Sequence, residues 1–393
     1  MKFLHAADLH LDRSFEGLTN VPEYFQKQLV TANQKMLKNI VDTAITQAVD
    51  FVLLAGDTFH QNRPTLKTQR YFFQEMDRLA EADIPVFMNF GNHDFYQADR
   101  YWFAFPENIQ LFDDERVETK KFVTKAGEQV GITSFSYQHP TIEAAMLESF
   151  PHKGAVDFQI GMYHGGQLPY APFQVTELAA KGYDYWALGH IHVPQVLSQQ
   201  PYVIYPGTPQ GHTQKEINLA GVTIVESQGN QLLPRSIPVE VIRWERRTLS
   251  LAGIRQPREL FPLVRRLAVD KPTLLHLEFS DTGNLGEELA YQVASGELLE
   301  ALQEESSQEI CLWQLSLADS PTERPYLTVD EKLVDQLMAT YQTPEIFSEL
   351  LNELEQNPQL HSSMNQEFRV DTVTLLKEKM AQSYRFRGNA DVD

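Results

Sequence analysis

The chain has 393 residues, of which 42% are hydrophobic, and its formal net charge is -20. This length exceeds what one ordinary hydrophobic core contains, so two or three domains are expected. The negative charge argues against a basic DNA-binding domain, because phosphate contacts need Lys and Arg, but it does not exclude a nuclease. The single cysteine, Cys311, excludes intrachain disulfides and thiolate metal clusters, so a metal would have to be held by His, Asp, Asn or Glu.

Apolar runs in the sequence are short. None approaches the roughly 18 residues that a membrane span needs. Asp8 interrupts the apolar N-terminal stretch before the core of a signal peptide is formed. The sequence therefore predicts a soluble cytoplasmic protein.

Five apolar stretches in the first 200 residues share one design, an apolar run with Asp, His or Asn at its C-terminal end. They are KFLHAADLHLD, DFVLLAGDTFH, IPVFMNFGNHD, FQIGMYHGG and YWALGHIH. Helix-like segments lie between them at 22–49 and 66–82, where apolar residues recur at helical spacing. Strands that alternate with helices predict a layered α/β core, in which ligands sit beyond the carboxyl ends of the strands. We therefore expect the five polar clusters to converge on one site.

The pattern changes after the last of these stretches. Short strands separated by Gly and Pro occupy residues 196–240 and predict an antiparallel completion of a sandwich. A second unit begins near Val241 with two strands, continues with a helix at 286–303 and ends with another strand. This order predicts a small α+β domain.

The C-terminal part is acidic and helix-like. Residues 301–360 contain 12 acidic and 2 basic residues, a net charge of -10. Residues 318–325 have the composition of a linker, and helices are predicted at 328–356 and 370–384. An apolar face at helical spacing indicates a surface that another element or a partner covers; its residues are Leu333, Leu337, Phe347, Leu350, Leu351 and Leu354. The expected division of the chain is 1–240, 241–320 and 321–393.

The polar strand ends have the residue types of a metal centre. Asp8 and His10 alternate across a strand end and can face one cation, and His190 and His192 do the same. A single His at a strand end is more often structural than a ligand. Five strand ends with polar groups at the same edge would be costly without a ligand. Oxygen and imidazole ligands without sulfur suit manganese, iron or zinc.

The motifs DLH, GDTFH, GNHD, MYHGG and GHIH, in this order, resemble those of the calcineurin-like metallophosphoesterases. The AGDTFH and YPGTPQG stretches narrow the resemblance to the SbcD-type DNA repair nucleases and, within them, to the YhaO-like bacterial branch. The resemblance covers residues 1 to about 240. One departure is that Gly211 is followed by His212 and Thr213, where members of the family usually have an Arg and a His. A substrate contact by a basic residue is therefore not carried over to this stretch.

The resemblance implies a four-layer sandwich, with two mixed β-sheets flanked by helices, a small α+β capping domain and a helical C-terminal tail. It also implies two divalent metal ions, most readily Mn²⁺, with Fe, Zn or Mg as alternatives. The implied ligands of one metal are Asp8, His10 and His192, those of the second are Asn92, His164 and His190, and Asp57 bridges both. His93 would lie against the scissile phosphate and stabilise or protonate the leaving oxygen, Asp94 would orient its ring, and His60 would face the substrate.

The function implied is a manganese-dependent DNA exonuclease or endonuclease that hydrolyses phosphodiester bonds by a two-metal mechanism. The sequence has no G-x-x-x-x-G-K-[ST] stretch, so it does not bind ATP in the P-loop manner. The resemblance therefore implies an SbcC-like or YhaN-like ATPase as partner, a DNA substrate, and a homodimer. One alternative is a phosphomonoesterase or cyclic-nucleotide phosphodiesterase with the same metals, and another is a non-catalytic scaffold.

Overall fold

The computed structural model describes residues 1–18, 21–217, 219, 221–229 and 231–318; beyond these it describes 326–330, 385–387 and isolated positions between 336 and 376. The chain divides into two compact units, Met1–Ala318 and Asp319–Asp393. Among the described residues, no helix combines the length and apolar character that crossing a membrane requires.

Four neighbouring strands of the first six-stranded sheet are parallel, and they run from its centre to one edge. They are β1 (Lys2–Ala6), β2 (Phe51–Ala55), β3 (Val86–Asn89) and β4 (Ile109–Leu111). Two later strands, β11 (Val222–Gln228) and β12 (Gln231–Ile237), add antiparallel to the other side of β1. The sheet order is therefore β12-β11-β1-β2-β3-β4.

The second six-stranded sheet is also mixed. In sheet order its strands are β5 (Glu118–Val123), β6 (Gln129–Ser134), β7 (Phe158–His164), β8 (Tyr185–Gly189), β10 (Tyr202–Tyr205) and β9 (Gln195–Gln199). The four inner strands are parallel and the two edge strands are antiparallel to their neighbours. The short strands expected after residue 196 are found in both sheets: β9 and β10 belong to the second sheet, and β11 and β12 to the first. Of these, β10 is parallel to β8, and the other pairings are antiparallel.

Helices and sheets stack in four layers because alternate side chains of each strand face opposite ways. Phe51 and Leu53 of β2 point between the two sheets, where they meet Ile160 and Met162 of β7 in one buried cluster. On the other face of the first sheet lie α1 (Glu23–Thr46) and α2 (Leu66–Glu81), which bury their apolar faces on Val52 and its neighbours. Helix α3 (Val175–Ala180) contributes to the cluster on the outer face of the second sheet. The predicted four-layer sandwich is confirmed.

A third sheet of three parallel strands follows residue 240. It consists of β13 (Arg243–Ser250), β14 (Thr273–Ser280) and β15 (Ile310–Leu317), with helices α4 (Leu260–Arg265), α5 (Gly286–Ser295) and α6 (Glu297–Glu305). Trp244 and Cys311 of this sheet pack against Phe25 of α1. The boundary at 240/241 stays a prediction, since residues 1–318 form one compact unit.

Two predicted helices differ from the structure. The helix expected at 286–303 is two helices, because Gly296 adopts a left-handed conformation (φ +82°) that ends α5 and starts α6. The helix expected at 328–356 begins inside strand β16 (Tyr326–Asp330), which pairs with β17 (Arg385–Arg387). Aromatic and β-branched residues in YLTVD favour a strand. The apolar positions of the predicted tail, Leu333 to Leu354, lie outside the described residues.

Candidate metal centre

Ten predicted site residues come from loops or strand ends at the carboxyl edge of the two large sheets. They follow β1, β2, β3 and β8, or end β7, and they are Asp8, His10, Asp57, His60, Asn92, His93, Asp94, His164, His190 and His192. Parallel strands bring these ends to one edge. The distances below show that all ten meet there.

The first group of side chains contains Asp8, His10 and His192. The Nε2 atoms of the two imidazoles lie 3.0 Å apart. The donor atoms of all three residues lie within 4.8 Å of one another. Asp8 is buried, and its two carboxylate oxygens accept the backbone N–H of His190 at 2.9 and 3.0 Å. These contacts leave the three side chains positioned to share one cation.

The second group contains Asn92, His164 and His190. Asn92 Oδ1 lies 3.0 Å from His164 Nε2 and 3.0 Å from His190 Nδ1. His164 Nδ1 donates to the carbonyl oxygen of Ala55 at 3.1 Å, which leaves Nε2 to face the amide oxygen.

Asp57 lies between the two groups. Its Oδ2 is 3.8 Å from His10 Nε2 in the first group and 3.5 Å from His164 Nε2 in the second. Its Oδ1 accepts the backbone N–H of His93 at 3.0 Å. The carboxylate is thus the element common to both groups, as the bridging position requires.

The donor set fits divalent cations. Imidazole nitrogens and amide or carboxylate oxygens, all of them atoms that can ligate a cation, face one another at 3.0 to 3.8 Å. Burial lowers the pKa of His10 well below its usual value and the pKa of His190 to about 3, so both rings are neutral at ordinary pH. Burial also raises the pKa of Asp8 to about 6. A bound cation would reverse that shift by favouring the carboxylate.

The backbone of the site is strained at the residues that carry these groups. Asp8, His10, Asp57 and His190 have φ angles of +53°, +44°, +50° and +104°. Left-handed conformations of non-glycine residues cost of order 1–3 kcal/mol each and cluster at functional sites. The fold therefore maintains these four positions against local backbone preference.

Glycine is required where the chain passes closest to the ligands. A Cβ atom on Gly91 would lie 2.2 Å from Asp57 Oδ1 and 2.6 Å from His164 Nε2. A Cβ atom on Gly56, which has φ +83°, would lie 2.3 Å from His164 Nδ1. Neither position accommodates a side chain without displacing Asp57 or His164.

His60 and His93 lie beside the first group on its open side. His93 is exposed, and its ring stacks on that of His60 with centroids 4.8 Å apart and planes at 23°. The His93 ring centroid is 5.0 Å from that of His10, and His60 Nδ1 is 3.3 Å from His10 Nδ1. The two rings are thus within reach of a substrate that approaches the centre.

Asp94 bonds to the backbone of the turn that carries Asn92 and His93. Its Oδ1 accepts the N–H of Gly91 at 2.8 Å and its Oδ2 accepts the N–H of Phe59 at 3.2 Å. Burial, followed by the nearby charge of Asp57, raises its pKa to about 7. Asp94 therefore holds this turn, and its role in orienting the His93 ring stays a prediction.

Sequence reasoning missed Glu216. Its Oε1 accepts a hydrogen bond from His192 Nδ1 at 2.5 Å, which leaves Nε2 free for a metal. Burial alone would raise the pKa of Glu216, but hydrogen bonds from His192 and from the backbone N–H of His212 lower it to about 2. Glu216 lies four residues after His212, in the stretch where the sequence departs from the family pattern. His212 itself is fully buried, and its Nε2–H donates to Asn33 Oδ1, 2.9 Å away, so it does not reach a substrate.

The chain resembles known phosphoesterases in sequence. Residues 1–194 match the calcineurin-like phosphoesterase family. The uncharacterized metallophosphoesterase YhaO of Bacillus subtilis (strain 168) is 31% identical over 371 residues, which cover 91% of each chain. The DNA double-strand break repair protein Mre11 of Sulfurisphaera tokodaii is 25% identical over 65% of this chain and 67% of its own. The SbcCD nuclease subunit of Staphylococcus epidermidis is 22% identical over 62% of this chain and 71% of its own. The family match spans every strand end that contributes to the centre.

Proposed function

This chain belongs to the calcineurin-like phosphoesterase family, and from that premise we propose that it is a manganese-dependent DNA exonuclease or endonuclease. Members of the family bind two divalent metals, and the side-chain groups described above fit such a pair. The observation that carries the proposal is the exposed His93 ring, which stacks on His60 beside the metal groups. A site that served only to hold a metal for stability would have no use for it.

The proposed metal ligands are those of the two groups and the residue between them. Asp8, His10 and His192 would hold one ion, Asn92, His164 and His190 the other, and Asp57 both. The chemistry supplied by such a pair is neutralisation of phosphate charge and activation of water for in-line attack. Four of the seven side chains are imidazoles, which favours manganese over magnesium because magnesium prefers all-oxygen shells.

The residues of the chain itself act on the leaving group. An N–H of the His93 ring donates to the departing oxygen as the P–O bond breaks, and it stabilises or protonates that oxygen. The backbone N–H of His93 is fixed to Asp57 Oδ1, and the turn is fixed through Asp94, so the ring stays beside the phosphate. His60 stacks on that ring and faces the substrate.

DNA as the substrate is supported by the relatives named as a DNA repair protein and a nuclease subunit. The same metal set would also serve a phosphomonoesterase or cyclic-nucleotide phosphodiesterase. Assays with manganese on linear duplex DNA, a phosphomonoester and a cyclic nucleotide separate these activities. Cleavage of DNA is expected, and hydrolysis of a small substrate alone would contradict the proposal.

The test of the mechanism is His93→Leu. The variant should retain both metals by elemental analysis and lose nearly all hydrolysis, because the ring acts in the transition state and not as a ligand. Asp57→Ala is the matched comparison, since it removes a ligand. Metal loss in His93→Leu as large as that in Asp57→Ala would refute the assignment.

We also propose a cytoplasmic complex with an SbcC-like or YhaN-like ATPase, bound through the region after residue 325. Removal of that region should abolish capture of the ATPase, while manganese-dependent cleavage of short DNA by residues 1–325 persists. A truncated protein that still captures the ATPase would exclude this docking role. So would a truncated protein that stays folded but no longer cleaves.

The proposed homodimer has a candidate surface on the first unit. Trp102, Phe103 and Leu66 are 73%, 41% and 49% exposed. The N–H of Trp102 donates to Gln69 on α2, and the Phe103 ring lies 6.1 Å from that of Phe73, so these apolar groups adjoin one helix. Sedimentation of the Trp102→Ser variant should show a monomer where the unaltered protein is a dimer.

A further inference from the structure

A cleft of 460 Å³ lies between the loop that follows β1 and the helices α1 and α2. It is separate from the metal groups, and none of the ten predicted site residues lines it. The side chains that matter for its chemistry are Asp12, Phe15, Gln26, Leu29, Gln34 and Lys67. Its volume falls within the roughly 300–1,000 Å³ typical of small-molecule sites.

The cleft adjoins the histidines that face the substrate. Asp12 forms part of its wall, and Asp12 Oδ1 accepts the backbone N–H of His60 at 2.6 Å. The wall also continues the loop that carries His10. A group bonded to a phosphate beside His60 therefore has this cleft within reach.

The remaining walls combine apolar surface with neutral polar groups. Phe15 and Leu29 offer apolar contact, and Gln26 and Gln34 offer amides that donate or accept. Lys67 adds a positive charge. A flat, largely apolar ligand with hydrogen-bonding groups along its edge matches this arrangement, and a nucleobase is such a ligand.

We propose that this cleft binds the base of a nucleotide next to the scissile phosphate. This inference rests on the proposed nuclease function, and it adds a subsite for one base beside the histidines that face the substrate.

The first test changes the substrate. Oligonucleotides with one cleavable phosphodiester among methylphosphonate linkages carry either a normal or an abasic nucleotide on each side of it in turn. For one of the two sides, loss of the base should lower kcat/KM of the unaltered protein by about tenfold, as expected for a lost stacking and hydrogen-bonding contact.

The second test fills the cleft. In Gln34→Trp the normal and abasic oligonucleotides should be cleaved with the same kcat/KM. Lys35→Trp is the matched control, because the next residue of α1 is exposed and does not line the cleft, and it should keep the tenfold difference. Fluorescence anisotropy of the labelled oligonucleotides in EDTA should show the same loss of base dependence in binding, without metal or turnover.

The outcomes separate this inference from the function on which it rests. If the unaltered protein cleaves no oligonucleotide, the nuclease proposal fails and the base site fails with it. If it cleaves normal and abasic oligonucleotides equally on both sides, the nuclease proposal stands and the base site is refuted. A tenfold base dependence that survives in Gln34→Trp would place the base elsewhere.

Discussion

Two regions of this molecule end parallel strands with polar residues, and they differ in what those residues meet. Beyond the two large sheets, atoms that can ligate a cation face one another, as where Asn92 Oδ1 lies 3.0 Å from His164 Nε2. Beyond β13 and β14, Asp281 Oδ2 instead accepts hydroxyl hydrogens from Ser250 at 2.5 Å and Ser280 at 3.1 Å. The same topology thus forms a candidate binding site in one region and, in the other, a turn whose polar side chains are hydrogen-bonded to one another. The difference lies in whether the side chains complete one another's hydrogen bonds.

The matched pair for this comparison is Asp57 and Asp281. Both follow a strand region with a left-handed φ, +50° and +53°. Asp57→Asn keeps a residue that tolerates this conformation but removes the charge between the two metal groups. We expect kcat/KM to fall about 10³-fold or more, since several kcal/mol of charge stabilisation is lost with the metals.

The same variant should not destabilise the metal-free protein, because the new amide N–H₂ can donate to an imidazole that now faces an acceptor. Metal content, steady-state kinetics and thermal unfolding in EDTA measure these effects. Asp281→Asn is the control and should leave metal content and kinetics unchanged. Metal retention by Asp57→Asn would show that the charge of this carboxylate is not needed for metal binding.

The second prediction concerns the core beneath the three-stranded sheet. Leu275 is fully buried in the cluster between β14 and its helices. Leu275→Ala should lower the free energy of unfolding by about 2–5 kcal/mol, through lost burial and the cavity left behind. Denaturant titration measures this effect. Hydrolysis of a small phosphodiester by the folded variant should match that of the unaltered protein, and a changed kcat would show that this region supports the metal centre directly.

The third prediction concerns Glu216, which fixes the ring of His192. Glu216→Gln should weaken metal binding about 10–100-fold, because the amide orients the imidazole less strongly and reduces its basicity. Competition with a metal-sensitive dye measures the affinity. Glu278→Gln is the comparison in the other region, where the carboxylate pairs with Arg246 on the surface. Equal metal affinity in the two variants would show that Glu216 does not contribute to metal binding.

The smallest effect is expected at that surface pair itself. Arg246 and Glu278 lie close together, but the Arg246 side chain is 56% exposed. Exposed ion pairs add little stability because water and salt screen them. Arg246→Ala should therefore unfold at the same denaturant midpoint as the unaltered protein, at both low and high salt. A clear, salt-dependent loss of stability would show that the charges of this sheet contribute more than the comparison assumes.

The motifs of the sequence were sufficient to predict the fold class and the convergence of the polar strand ends. Parallel strands place their carboxyl ends at one edge, so Asp8, Asp57 and His164 could be assigned to one site from their positions after apolar runs. The break at Gly296 was harder to predict, since apolar periodicity continues across it and only the backbone conformation ends the helix.

Residue types and their positions at strand ends could be read from the chain alone, because hydrophobic periodicity and short motifs are local properties. The partners of these side chains depend on the folded structure. Glu216 reaches His192 across 24 residues, and Asp94 accepts the N–H groups of Gly91 and Phe59. The cleft beside His60 likewise exists only where α1, α2 and the loop after β1 meet. Such contacts depend on the relative placement of distant segments, which packing of the whole core sets and no local pattern encodes.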